Sequence, residues 1–361
     1  MSEISKIEWC DSTFNPWIGC TKISPACDHC YAEAWSARFG RARWGDHPRE
    51  RTSEASWRMP RVWQRQADAF EAEHGRPRFV FCASLGDVFD NQVPEEWRAD
   101  LFDLMRETPR LVWLLLTKRP QNIAKMLPPD WGDGWPHVWL GATVENQDVA
   151  ERNIPALLSV PAARRFLSCE PLLGPLDMTR VVKRRGSPPA DGPPRPSATH
   201  AIHCLRGESY DLGYMTLLRN GPRIDWVITG GESGKDARPS HPQWFRSLRD
   251  QCEAAGVPFH FKQWGEWLPI SNMPEDMTSA CYRSNRKARD GEDQATLDEV
   301  FGSHAIVANS VIHDDGTLHD LSEPLAFQDG CAAMTVYKVG KKAAGRLLDG
   351  VTHDGRPEAI R

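Results

Sequence analysis

Three cysteines near the amino terminus form the most informative chemical pattern in the sequence. Cys20, Cys27 and Cys30 are spaced C-x6-C-x2-C, and a second C-x2-C pair occurs nowhere else in the chain. Thiolates bind iron and zinc strongly, and Cys27 and Cys30 are close enough to share one metal centre. Three protein thiolates can hold a cubane [4Fe–4S] cluster and leave one iron open to another ligand. The spacing therefore predicts an iron–sulfur site with an open iron.

Two other interpretations of these thiols stay open. A closed zinc site needs four ligands, so His29 or the more distant Cys10 would have to complete it. Alternatively, the thiols could be buried as small apolar groups that bind no metal. The other cysteines are scattered along the chain, and disulfides are rare in a reducing compartment.

Polar residues recur where short apolar segments end, and there they could bind a cofactor. The apolar segments are nearly continuous, as in Phe79–Cys82 and Leu111–Leu116, which suits parallel strands buried on both faces. Such strands collect ligand-binding residues at their carboxyl ends. The candidate cofactor-binding residues are Ser84, Asp87, Lys118, Thr143, Glu145, Asn146, Glu170, Gly230, Gly231, Glu232 and Lys262.

Some of these residues also have an ordinary structural interpretation. Gly230 and Gly231 could let the backbone approach a ligand, and Glu232 could bind an ammonium or a ribose hydroxyl. Alternatively, the three residues could form a tight turn between a strand and a helix. Glu170 and Glu145 could face a ligand or could be exposed salt-bridge partners.

The segments that position these residues predict an α/β fold. We count about seven apolar strands, most of them separated by enough residues for a helix, which favours a full or partial (β/α) barrel over a doubly wound sheet. The barrel is predicted for residues 1–267, with a Pro-rich insertion at about 183–222. A small α+β extension is predicted for residues 268–361.

Composition restricts the class of protein. The 361 residues are 40% hydrophobic and 26% charged, and the net charge of −5 provides no overall basic field. No apolar run approaches the roughly 20 residues of a membrane span, and the start shows no secretory signal pattern. We therefore expect a cytoplasmic protein that does not enter a membrane.

Two resemblances add to this interpretation. Cys27–Glu33 resembles the cluster loop of the radical S-adenosylmethionine superfamily, in which C-x3-C-x2-C is usual and a residue like His29 precedes the last cysteine. The first gap here is six residues instead of three. Most of the chain resembles phage and prophage proteins of unassigned function with a three-cysteine motif, through the segments Asn15–Lys22, Ala83–Phe89, Leu116–Pro120, Gly141–Asn146, Gly230–Ser233 and Phe261–Gly265.

The strand ends also look like those of spore photoproduct lyases, which repair thymine dimers in DNA. This similarity implies that Ser84, Lys118 and either Thr143 or Asn146 approach the methionyl carboxylate and ribose of S-adenosylmethionine. The expected function is a radical enzyme with a [4Fe–4S] cluster and S-adenosylmethionine as cofactors, acting on DNA, RNA or a nucleotide. The alternative is a zinc-stabilised or metal-free nucleic-acid-binding module that acts with a partner protein.

Cys82 is the candidate catalytic residue. It lies two residues before Ser84, on the same predicted strand face, and a thiol near a radical cofactor could donate a hydrogen atom. A cysteine packed in the core is the alternative, and it is the more common situation for a free cysteine.

Overall fold

A sheet of seven parallel strands forms the centre of the computed structural model, which describes residues 4–42, 44–182, 200–211 and 216–360. The strands are β1 (Ser12–Thr13), β2 (Phe79–Cys82), β3 (Val112–Thr117), β4 (Val138–Thr143), β5 (Arg165–Cys169), β6 (Trp226–Thr229) and β7 (Phe259–Phe261). Each strand pairs with the next one along the chain. Because the order contains no reversal, the sheet is a half-barrel rather than a doubly wound sheet. The predicted α/β class and partial barrel are confirmed.

Strand residues alternate between two buried layers. The layer on the inner face is mostly aromatic and includes Trp9, Phe79, Phe81, Trp139, Phe166 and Trp226. Gly141 leaves room in this layer, because a Cβ at this position would lie 2.3 Å from Phe166 Cζ. The outer layer mixes aliphatic and aromatic side chains and packs against the helices. Burial on both faces explains why the strands read as continuous apolar runs.

Helices flank the strands, and most of them pack on the outer layer. Along the chain they are α1 (Tyr31–Arg38), α2 (Glu54–Arg65), α3 (Ala67–His74), α4 (Glu95–Arg106), α5 (Pro120–Met126), α6 (Gln147–Leu158) and α7 (Pro242–Ala255). Local sequence sets several of their starts: Pro120 and Pro242 occupy the first turns of α5 and α7, and the Asn146 side chain caps α6.

The predicted insertion contains a separate antiparallel sheet. Its four strands are Val181–Val182, His200–His203, Glu208–Asp211 and Thr216–Asn220, which pair in sequential order. The Pro-rich run Ser187–Pro196 lies outside the described residues.

The region after residue 267 adds a further antiparallel sheet and three helices. The sheet contains Leu268–Pro269, Met334–Tyr337, Asn309–Ile312 and Leu318–His319, in that order. The helices are α8 (Glu275–Ala280), α9 (Gln294–Phe301) and α10 (Lys341–Ala344). Two short pairs, Trp17–Ile18 with Glu50–Arg51 and Tyr282–Arg283 with His304–Ala305, complete the strands of the described residues.

This last region packs onto the half-barrel. Ile312, Val336 and Leu348 belong to the outer core layer, and the backbone near residue 354 pairs with β7. The structure therefore gives the predicted extension no separate core. Helices long and apolar enough to cross a membrane are absent from the described part of the chain.

Replacing Trp226 with alanine should strongly destabilise the half-barrel. Trp226 packs against Trp9 and Trp139, and its Nε1 donates to Gly355 O at 2.8 Å. We expect Trp226→Ala to lower the free energy of unfolding by about 3–5 kcal/mol, as measured by urea denaturation. Phe327→Ala, at an exposed ring, is the control and should change it by no more than about 0.5 kcal/mol.

Candidate cofactor site at the mouth of the half-barrel

A cavity of about 430 Å³ lies at the carboxyl ends of the parallel strands. The predicted site residues that line it are Cys20, Cys27, Cys30, Ser84, Asp87, Lys118, Thr143, Glu170, Gly231, Glu232 and Lys262. The structure therefore brings the three cysteines to the same cavity as the polar strand ends.

Four predicted residues are not among those that line the cavity. Cys82 lies in the outer core layer, fully buried among apolar side chains, and burial raises the pKa of its thiol. Asn146 accepts from Val149 N as the α6 cap, and Gly230 O accepts from Leu172 N. The buried Glu145 side chain accepts a hydrogen bond from Ala26 N, next to Cys27. Cys82 therefore has the position of a core cysteine, not that of a hydrogen-atom donor.

The cysteines are carried on one segment, residues 20–30, which we call the cysteine loop. Just before it, Gly19 N donates to Leu85 O at 3.0 Å, so the loop starts beside the segment that follows β2. Gly19 has a φ of +113°, a conformation that glycine adopts most readily. Pro25–Cys27 form a short 3-10 turn, and Cys30 immediately precedes α1.

Arg119 holds the amino-terminal end of the cysteine loop. Its guanidinium donates to Thr21 O at 2.7 Å, to Cys20 Sγ at 3.4 Å and to Asp87 Oδ2 at 3.1 Å. Burial raises the pKa of the Cys20 thiol to about 11; Asp87 adds to this rise and Arg119 opposes it.

Arg238 holds the other end of the cysteine loop. Its guanidinium donates to Asp28 Oδ2 at 3.0 Å, to Pro25 O at 2.9 Å and to Glu232 Oε1 at 2.7 Å. Glu232 Oε2 also accepts from Arg238 N at 2.7 Å and lies 3.2 Å from His29 Nδ1. Burial pushes the pKa of Glu232 upward, but the bonds from Arg238 and His29 outweigh it and lower the pKa.

Glu145 supports the middle of the cysteine loop from beneath. Its Oε1 accepts from Ala26 N at 3.2 Å, and its side chain is buried. Its Oε2 is buried and has no hydrogen-bond partner among the described residues. Because an unsatisfied buried oxygen is costly, this atom is suited to a donor on a bound group or an ordered water.

Lys118 projects toward the thiols. Asp87 Oδ2 accepts from its backbone N–H at 3.1 Å, whereas its ammonium has no hydrogen bond or ion pair within the described chain. Burial alone would lower the pKa of Lys118, but the three cysteines and Glu145 outweigh it and raise the pKa. A charged ammonium therefore faces the cysteines with its donors free.

The opposite wall combines an ion pair with a tight turn. Lys262 Nζ donates to Glu170 Oε1, and both side chains are mostly buried. Gly231 N donates to Gln263 O at 2.9 Å, and a Cβ at Gly231 would lie 1.9 Å from Trp264 O. Only glycine fits this position, which supports the tight-turn interpretation of Gly231.

Sequence reasoning assigned no role to two side chains at this site. Arg238 follows no strand directly and contacts the cysteine loop only through tertiary packing, whereas Tyr31 comes directly after the last cysteine and lines the cavity. No spacing pattern marks either of them.

The fold and the cavity define this protein as a half-barrel with a thiol-lined site at the strand ends. The chain belongs to the family of proteins of unknown function designated DUF5131, whose model matches residues 4–357. Comparison with curated proteins and with solved structures found no match.

Replacing Glu232 with glutamine tests the ion pair through which Arg238 holds the cysteine loop. Near neutral pH, Glu232→Gln should lower the free energy of unfolding by roughly 1.5–3 kcal/mol, because Arg238 loses its charged acceptor. A depressed carboxyl pKa stabilises the fold above the usual value of 4.5 and loses this contribution as the pH falls through the folded-state pKa. The difference between wild type and variant should therefore shrink below pH 4.5.

Urea denaturation at neutral and at acidic pH measures both effects. Asp28→Asn is the matched control, because Asp28 is the exposed carboxylate on the same guanidinium and should contribute no more than about 1 kcal/mol. A difference for Glu232→Gln that stays constant with pH would contradict this assignment.

Proposed function

We propose that the protein is a [4Fe–4S] enzyme of the radical S-adenosylmethionine type, with Cys20, Cys27 and Cys30 as the cluster ligands. The observation that carries the proposal is the cavity lined by three cysteines, with the unpaired ammonium of Lys118 directed at them. The likeness to radical S-adenosylmethionine proteins and to phage three-cysteine proteins agrees with it. A nucleic acid or nucleotide is the proposed substrate class.

The donor set favours a cluster over a single zinc ion. The three thiols line the same cavity and form no disulfide. A closed zinc site needs four ligands, and the motif supplies three thiols. Zinc needs its thiolates within about 2.3 Å of one point. A cluster binds each thiolate at a different iron and therefore accepts wider spacing.

Positive charge at the thiols supports the same assignment. Arg119 donates to Cys20 Sγ, and Lys118 lies near the three cysteines. Arg119 opposes the effect of burial, which raises the pKa of Cys20, because cations near a thiol favour the thiolate, the metal-binding form. They also reduce the electrostatic cost of placing several negative sulfurs in a partly buried cavity.

The remaining residues can bind and orient S-adenosylmethionine. Lys118 lines the cavity and supplies a free cation for the carboxylate of the methionyl group. The Lys262–Glu170 pair and the Gly231 turn form the wall that limits access of water. When bound, a cluster of this type supplies the electron that splits S-adenosylmethionine into methionine and a 5′-deoxyadenosyl radical.

Anaerobic reconstitution of the full chain with iron and sulfide tests the cluster. We expect roughly four irons and four sulfides per chain and a brown protein. Cys20→Ser, Cys27→Ser and Cys30→Ser should each lose most of the iron. Cys331→Ser is the matched control, because Cys331 lies outside the cavity and should leave the iron content unchanged. One zinc per chain and no iron would contradict the proposal.

Replacing Lys118 tests the cofactor pocket. Lys118→Met keeps most of the length of the side chain and removes the charge, so the dissociation constant for S-adenosylmethionine should rise roughly 10- to 100-fold. Calorimetry on the reconstituted protein measures it. Lys125→Met, at an exposed lysine of α5, should bind like wild type. If wild type and Lys118→Met bind S-adenosylmethionine with equal affinity, Lys118 does not contact the cofactor.

A further inference from the structure

Helix α1 presents its side chains in an unusual way. It buries the small residues Ala32 and Ser36, whereas Tyr31 is 57%, Trp35 37% and Phe39, at its end, 57% exposed. A surface helix ordinarily buries its large apolar residues. Neighbouring exposed rings of this kind mark an interaction surface rather than a packing defect.

Tyr31, Trp35 and Phe39 are three exposed rings carried by α1 and the residue after it, and we call them the aromatic row. They recur every four residues and so lie on one face of the helix, roughly 6 Å apart along its axis. The Trp35 and Phe39 ring centroids are 5.0 Å apart. Tyr31 also lines the cavity and donates from its hydroxyl to Ser84 O at 2.6 Å. The row therefore starts at the cavity and runs outward.

The cavity mouth carries unneutralised positive charge. Each acid that lines the cavity already has a cationic partner, in the pairs Asp87–Arg119, Glu170–Lys262 and Glu232–Arg238. Lys6 and Lys341 line the cavity and are exposed, and neither ammonium forms an ion pair among the residues that the structure describes, although Lys341 N donates to Glu266 Oε2 at 3.3 Å. At the far end of the row, Arg38 Cζ lies 5.7 Å from the centroid of the Phe39 ring. Arg38 likewise forms no ion pair in the described chain.

We propose that the protein binds single-stranded nucleic acid, with bases stacked on the aromatic row and phosphates at Lys6, Lys341 and Arg38. The inference rests on the proposed function for the identity of the cavity and specifies its substrate class. Every base has a π face that an exposed ring can stack on, and cations along the path neutralise the backbone. A duplex hides its base faces in its own stack. An apolar protein partner would leave the three cations without counter-charges.

Fluorescence anisotropy with labelled oligonucleotides tests the inference on the full chain. The probes are single-stranded oligo-dT and oligo-rU and a DNA duplex of equal length, about 15 nucleotides. Both single strands should bind more tightly than the duplex, and comparing dT with rU identifies the preferred sugar. Trp35→Ala should weaken single-strand binding roughly 5- to 100-fold. Trp35→Phe should retain most of the affinity, because the stacking face remains.

Phe301→Ala is the matched control. Phe301 is 54% exposed and lies beside Arg286, as Phe39 lies beside Arg38, but it is in α9, outside the cavity. It should leave binding unchanged. Lys6→Ala and Lys341→Ala should each reduce the slope of log affinity against log salt by about 0.7. Duplex binding as tight as single-strand binding, an unaffected Trp35→Ala variant, or an equal loss in Phe301→Ala would overturn the inference.

Light scattering separates this inference from self-association. A wild-type dimer that Trp35→Ala converts to a monomer would mean that a second copy covers the aromatic row, and this would overturn the inference. The binding assay needs no cluster. If the chain binds single strands through Trp35 but incorporates no iron, only the proposed radical chemistry is rejected. If it incorporates iron but does not bind single strands through Trp35, only the proposed substrate class is rejected.

Discussion

Two arginines, the buried Arg119 and the partly buried Arg238, hold the cysteine loop against the ends of the parallel strands, and the shape of the cavity depends on them. Arg119 joins the loop to Asp87, and Arg238 joins it to Glu232. Each guanidinium also donates to a loop carbonyl, so charge and geometry are satisfied together. Buried ion pairs persist where such additional bonds offset their desolvation. The two anchors fix the loop at both ends and keep its thiols facing the strand ends.

The polar strand ends consequently divide into two groups. Asp87 and Glu232 line the cavity, but their oxygens are occupied by Arg119 and Arg238, so they position the cysteine loop. Lys118 lines the same cavity with its ammonium free. Of these three side chains, Lys118 is therefore the one whose charged group is available to a ligand. The carboxylates of Asp87 and Glu232 therefore serve to build the site.

The cavity has a closed side and an open side with different chemistry. The closed side holds the thiols above the aromatic inner layer of the half-barrel, where low polarity strengthens electrostatic interactions. The open side carries exposed lysines and the aromatic row of α1. Because α1 starts right after Cys30, one short segment supplies both the last thiol and the first ring of the row.

The sequence by itself determined the α/β class, the parallel strands and the edge at which the site lies, because apolar runs and the polar residues after them are local features. It did not determine the direction of Cys82, since Ser84 lies beyond the end of β2, where strand alternation stops. Only the tertiary structure decided the role of Arg238, which contacts Asp28 across 210 residues of chain. It also decided that Asn146 caps a helix and that the region after residue 267 shares the main core. Such contacts depend on how distant segments pack, and no periodicity in the chain encodes them.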